Sequence, residues 1–110
     1  MALNLIFPVA GEGSRFGGTF KPFLNIGDIT FIETTLKPFR DYLSFIDKIY
    51  FICTLEQEKK YDVKSSFEYI FPDLSDLIEV VIIDHKTQGP YQTIREGIEK
   101  AKISGPSIVC

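Results

Sequence analysis

Short apolar runs of strand length alternate with segments of helical period along the whole chain, and this alternation limits the fold more than any other feature of the sequence. Residues 4–10, with Leu5, Ile6, Phe7 and Val9, form a continuous apolar run of the kind buried on both faces of a sheet. Residues 47–53, with Ile49, Tyr50, Phe51 and Ile52, form a second, and residues 78–83 a third. Residues 106–110 read as a fourth strand. Between the first two runs, Thr30 and Glu33 fit a capping box, and Ile32, Leu36, Phe39 and Leu43 recur at helical spacing, so a helix is expected over 30–43, kinked or shortened by Pro38. After the second run, Thr54 as N-cap with Gln57 three residues on opens another helix, with Val63, Phe67, Ile70 and Phe71 on its apolar face and Pro72 at its end. Glu56 and Lys60 are placed to pair on its surface. A last helix starts at Pro90, with Tyr91, Ile94, Ile98 and Ala101 as the buried stripe and Gly105 at its C-terminal end. Strand and helix in strict alternation predict an α/β fold with a mostly parallel sheet covered on both faces, its ligands at the carboxyl ends of the strands.

The 110 residues contain no repeat and no Pro/Gly/Ser-rich linker, so residues 1–110 read as one unit. The sequence ends directly after the fourth strand run and reads as cut short, the N-terminal portion of a longer domain. With 45% hydrophobic and 25% charged residues the composition is globular and not disordered. Apolar runs are far shorter than the roughly 20 residues that cross a bilayer, which excludes a membrane span. No basic head precedes the first apolar run, so it reads as a strand and not as a secretory signal. Two cysteines, Cys53 and Cys110, make no disulfide framework and have no metal-ligand spacing; a reducing cytoplasm is the expected compartment. Twelve basic residues against 15 acidic ones give a net charge of −3, without the basic stripe that a nucleic-acid partner demands.

Chemistry concentrates in residues 11–22, directly after the first strand run. Four glycines and a proline here exclude an uninterrupted helix. Gly11 and Gly13 allow backbone N–H groups to approach phosphate oxygens, Arg15 offers a planar fork for two oxygens, and Lys21 adds a compact positive charge. Other glycine loops do not fit: a dinucleotide fingerprint starting at Gly11 needs glycine where Phe16 stands, and a Walker A loop needs Gly-Lys-Ser/Thr, whereas Lys21 is followed by Pro22.

The run Ala10-Gly11-Glu12-Gly13-Ser14-Arg15, followed by Lys21-Pro22, resembles the opening signature A-G-x-G-S/T-R of the nucleotidyltransferases that make sugar nucleotides and related activated alcohols. The compact Arg-to-Lys loop is also similar to that of the molybdenum-cofactor guanylyltransferase branch. The resemblance extends over the chain in element order and is specific in its first 22 residues. It implies a Rossmann-like three-layer α/β/α fold and transfer of a nucleotidyl group from a nucleoside triphosphate to a sugar 1-phosphate or a similar small phosphorylated acceptor, with release of pyrophosphate. By the same resemblance Ala10, Gly11, Gly13 and Ser14 hold nucleotide and phosphates, Arg15 contacts the departing pyrophosphate, and Lys21 contacts the phosphate under attack. Gln88 and Gly89 fall where the family reads the base, with Thr93 beside them. Mg²⁺ is the implied cofactor, its ligands expected beyond Cys110.

Two other readings stand beside this one. The chain would be a nucleotide-binding or regulatory module without catalysis, or an α/β domain whose loop holds no ligand. His85, the only histidine, follows Asp84 at a strand end and reads as a loop histidine more readily than as a general base, because an acceptor that is already a phosphate needs no deprotonation. Gly97, inside the last helix at a cost of about 1 kcal/mol relative to alanine, suggests close packing against the sheet.

Overall fold

The computed structural model describes residues 3–9, 25–26, 29–85 and 87–109. β1 (Leu3–Pro8) is followed by a short antiparallel hairpin, β2 (Asn25–Ile26) and β3 (Ile29–Thr30), and by helix α1 (Phe31–Leu36). A 3₁₀ segment, Lys37–Phe45, leads into β4 (Ile46–Thr54). Helices α2 (Leu55–Tyr61) and α3 (Val63–Ile70) and a 3₁₀ turn at Pro72–Leu74 connect to β5 (Ile78–Ile83). Helix α4 (Pro90–Ala101) then leads to β6 (Ser107–Val109). The chain is an α/β fold: β1, β4, β5 and β6 form a four-stranded parallel sheet in the order β5-β4-β1-β6.

Strand register explains how both faces are filled. Leu5, Ile49 and Ile78 lie side by side across three strands, as do Phe7, Phe51 and Val80, and Cys53 pairs with Ile82. These rows face one way and pack with Ile32 and Leu36 of α1 and with Val63, Phe67, Phe71 and Leu74. The alternate positions Ile6, Tyr50, Ile52, Val81 and Ile83 face the other way and pack with Ile98, Ala101 and Ile103 in and beyond α4. Side chains on a strand alternate between faces, so continuous apolar strands require helices on both sides. The Phe51 ring is the centre of the larger core, with centroids 5.2 Å from Phe7 and 4.1 Å from Phe67. Such aromatic pairs contribute about 0.5–1.5 kcal/mol beyond their buried area.

The local elements depart from the sequence reading in five places. The helix expected over 30–43 is α-helical only to Leu36; Thr30 caps it by accepting from Glu33 N–H, and the chain continues as the 3₁₀ segment, with Pro38 in its first turn and Tyr42 outside helical geometry (φ −118, ψ 18). Proline lacks the N–H that would continue the α ladder. The second helix is two helices, because Asp62 is left-handed (φ 50, ψ 57), a conformation that aspartate tolerates better than most residues. The break lets Val63 and Phe67 reach full burial while α2 contributes no buried side chain. On the surface Lys60 lies over the Tyr61 ring, 5.3 Å from its centroid. In α4, Tyr91 is 77% exposed, and Thr93 and Gly97 hold the buried positions instead. Lys102, not Gly105, supplies the left-handed residue that ends α4, and Ile103 N–H closes it onto Ile98 O at 3.1 Å. The β2–β3 hairpin was not expected, although Gly27-Asp28 between Ile26 and Ile29 is a recognised two-residue hairpin signal.

Gly97 does pack closely on the sheet: a Cβ there would lie 2.3 Å from Ile52 Cδ1 and 2.8 Å from its Cγ1. No helix among the described residues is long and apolar enough to cross a membrane.

Candidate functional site

Chain order and sheet order together mark one place. The parallel strands are made in the order β1, β4, β5, β6 but lie in the order β5-β4-β1-β6, so winding reverses between β1 and β6. The connections before β5 pack on one face and α4 on the other, as the two core clusters require. In parallel α/β sheets the crevice at such a reversal, beyond the carboxyl ends of the strands, is where ligands bind. The segment leaving β1 starts there. Val9 N–H still donates to Ile52 O at 2.9 Å, one residue past the end of β1. Ala10, Gly11, Gly13, Ser14, Arg15 and Lys21 lie outside the described residues.

Gln88 and Gly89 are described, and they form the connection from β5 to α4. This loop is held by its own polar groups. The Gly89 carbonyl accepts from Thr93 N–H at 3.2 Å and from the Thr93 hydroxyl at 3.1 Å, while Thr87 Oγ1 bonds both Gly89 O and Thr93 Oγ1. Thr93 is buried, so it fixes the loop from beneath and has no open surface of its own. Gly89 is extended (φ 166, ψ 176), and a Cβ on it would meet nothing within 4 Å. Neither its backbone conformation nor crowding demands glycine. Gln88 is exposed, and its backbone N–H donates to Gln92 Oε1 at 2.8 Å. β5 lies two strands from β1, roughly 10 Å at the usual spacing of about 4.8 Å per strand.

Next to this loop lies a hydrogen-bonded chain that the sequence reading did not assemble. His85 Nδ1 is 2.8 Å from Asp84 Oδ1, and its Nε2 is 2.6 Å from Glu96 Oε1. The other Glu96 oxygen accepts from Gln92 Nε2 at 2.7 Å, and Gln92 Oε1 takes the Gln88 N–H. Ionised carboxylates only accept, so both imidazole nitrogens donate and His85 is an imidazolium in this arrangement. The Asp84 hydrogen bond and the nearby Glu96 charge hold the His85 pKa above its usual value. The His85 hydrogen bond, reinforced by the strand-end backbone, holds Asp84 below the usual carboxylate value. With no lone pair free, His85 is not a general base here, in accord with its reading as a loop residue. The signal that could have found this chain is helical spacing: Gln92, Glu96 and Lys100 recur every four residues on one face of α4. Lys100 completes the stripe by donating from Nζ to Ile82 O on β5.

Two further groups are excluded from chemistry. Cys53 is a fully buried free thiol, pushed up to about 12 by burial and by the Glu58 charge, so it is no nucleophile. Among the described residues no group of three or more His, Cys, Asp or Glu side chains comes together to hold a metal ion, and Asp84 and Glu96 are engaged with His85. Comparison of the sequence with protein families and with curated proteins finds no match.

Proposed function

We propose that this chain is the nucleotide-binding portion of a nucleotidyltransferase that moves NMP from a nucleoside triphosphate to a sugar 1-phosphate, or a similar small phosphorylated acceptor, and releases pyrophosphate. The observation that carries the reading is the strand order: the segment with Gly11, Gly13, Arg15 and Lys21 leaves the sheet at β1, beside the reversal point between β1 and β6. Glycine backbone amides and two cations in that segment suit a triphosphate. The β5–α4 loop, two strands away, offers the exposed Gln88 side chain and an open space at Gly89, a separation that an extended nucleotide can span.

In this reading the acceptor phosphate oxygen attacks the α-phosphorus in line and pyrophosphate leaves. Loop amides and Arg15 hold the β- and γ-phosphates, and Lys21 neutralises charge at the phosphorus under attack. No protein base is needed, which suits a site whose one histidine is already doubly bonded. Mg²⁺ would supply further charge neutralisation when bound with the triphosphate, with its ligands expected beyond Cys110, and no step here depends on it. A reducing cytoplasm is the compartment we propose, supported by the buried free thiol of Cys53.

The test is titration calorimetry of the 110-residue chain with ATP, GTP, CTP and UTP in the presence of Mg²⁺. Binding of at least one triphosphate, weakened about tenfold or more in Arg15→Ala or Lys21→Ala, supports the reading; no heat with any of the four overturns it. In the enzyme, Lys21→Ala lowers turnover by about two to three orders of magnitude, measured as pyrophosphate release, and unchanged turnover removes Lys21 from the mechanism.

A further inference from the structure

The hydrogen-bonded chain beside the β5–α4 loop has a direction. Glu96, as a carboxylate, can only accept, so the Gln92 amide must turn its Nε2 toward Glu96 Oε2 and its Oε1 toward the Gln88 N–H. The Glu96 carboxylate at one end and the Gln88 N–H at the other therefore agree on which way the Gln92 amide faces, and that amide, held by Glu96, fixes the backbone of Gln88. His85 holds the other Glu96 oxygen from the far side, through the 2.6 Å contact between Nε2 and Oε1. Glu96 is only 20% exposed, whereas Asp84 is 81% exposed, so water can replace the imidazolium at Asp84 far more readily than at Glu96.

We infer that Glu96 and Gln92 are positioning residues for base recognition, holding Gln88 in place through a polarised relay whose outer end is anchored by His85. The inference rests on the assignment of Gln88 to the nucleotide base, and it adds control of that contact by pH. A neutral imidazole donates once and carries no charge, so deprotonation of His85 either breaks its bond to Glu96 or leaves that bond without charge assistance. Other charges face the same cluster. Glu99 and Lys100 of α4 border His85 and Glu96, and Glu56, Lys59 and Lys60 of α2 border Asp84. The Lys100 ammonium is held at Ile82 O, on the strand side of the cluster. His85 is the group among them whose ordinary titration lies closest to neutrality.

The experiment uses the whole chain and has two readouts. The first is amide hydrogen exchange at Gln88 by NMR without nucleotide. Glu96→Gln keeps the shape but removes the charge that holds Gln92 Nε2, which loosens the Gln92 amide; Gln92→Met removes the acceptor outright. Exchange at Gln88 rises about tenfold in both, the equivalent of one lost hydrogen bond, while core amides of β4 stay protected and report an intact fold. The second is discrimination among the four triphosphates by calorimetry. In the wild type the ratio of best to worst Kd falls several-fold as pH rises through the His85 titration, and in Glu96→Gln it is low and flat with pH. Unchanged exchange at Gln88 in both variants overturns the relay, whatever the nucleotide binding. Raised exchange with nucleotide discrimination intact overturns the link to base recognition. Raised exchange in a chain whose wild type binds no triphosphate overturns the nucleotide reading and this inference with it.

Discussion

His85 ties the loop after β5 to α4, so stability has a pH signature at the scale of this one residue. Its pKa is raised in the folded chain, so its contribution is complete below its ordinary value of about 6.5 and is lost as pH rises through the raised value. Asp84 works in the opposite sense: its pKa is lowered, so its contribution is present above about 3.8 and is lost as pH falls through the lowered value. Both act together between those limits. Urea denaturation of wild type and His85→Ala should therefore differ more at pH 5.5 than at pH 8.5; an equal difference at both would mean that the two carboxylates do not grip the imidazole. Gly97 gives a second test. Alanine gains about 1 kcal/mol in helix propensity but must place its methyl 2.3 Å from Ile52 Cδ1, and overpacking of a filled core costs about 1–3 kcal/mol. Net of the propensity gain, Gly97→Ala destabilises by up to about 2 kcal/mol, and Ile52→Val, which removes Cδ1, relieves part of that in a double-mutant cycle. That Gly97 packs on the sheet was readable in the sequence, but the identity of Ile52 depends on how β4 aligns with α4. Tyr91 was misread because its spacing from Ile94 and Ile98 fits the buried stripe. The buried position in the first turn of α4 is Thr93, two residues on, which at about 100° per residue leaves Tyr91 on the far side of the helix.

At the scale of elements, local chemistry was the reliable guide. The capping box at Thr54 is present in full: Thr54 Oγ1 accepts from Gln57 N–H at 3.1 Å, and Gln57 Oε1 accepts from Thr54 N–H at 3.0 Å. Thr54→Ala should cost about 1 kcal/mol by urea denaturation, and a loss below a few tenths would mean that the cap is replaced by water. Strand positions were equally legible, because β1, β4 and β5 are apolar on both faces and helices cover both. The break at Asp62 was not legible. No proline or glycine marks it, and it exists because Val63 and Phe67 must meet Phe51 and its neighbours on the sheet, a tertiary demand that overrides a continuous helical pattern. The β2–β3 hairpin left a cue in Gly27-Asp28, but its strands of two residues each are too short for alternation to register.

For the whole molecule, alternating periodicity implied a parallel sheet but not the order of its strands, since order depends on which face each helix covers. The candidate site was legible to the same extent: a motif after β1 and a loop before α4 could be named, whereas the bonds from His85 to Gln88 depend on the docking of α4. The β6 edge has a consequence of its own. Among the described residues β6 pairs only with β1, and Ile108 and Val109 are 40% and 49% exposed. An open apolar edge is a template for further pairing, so the 110-residue chain should self-associate with rising concentration in sedimentation velocity, and Val109→Lys should reduce it. A wild type that stays monomeric at high concentration would show that the edge is blunt. β1 also joins segments far apart in sequence: Asn4 N–H donates to Pro106 O at 2.9 Å, Asn4 Nδ2 donates to Ser104 O across 100 positions, and Leu5 and Ile6 align with Ile108 and Val109. Chains emerge from the ribosome amino end first, so one flank of β1 must wait, unzipped, until residues 104–109 have been translated. Closure of this sheet is then a late, high-contact-order step, and chaperones would meet the nascent chain with β1 half dressed.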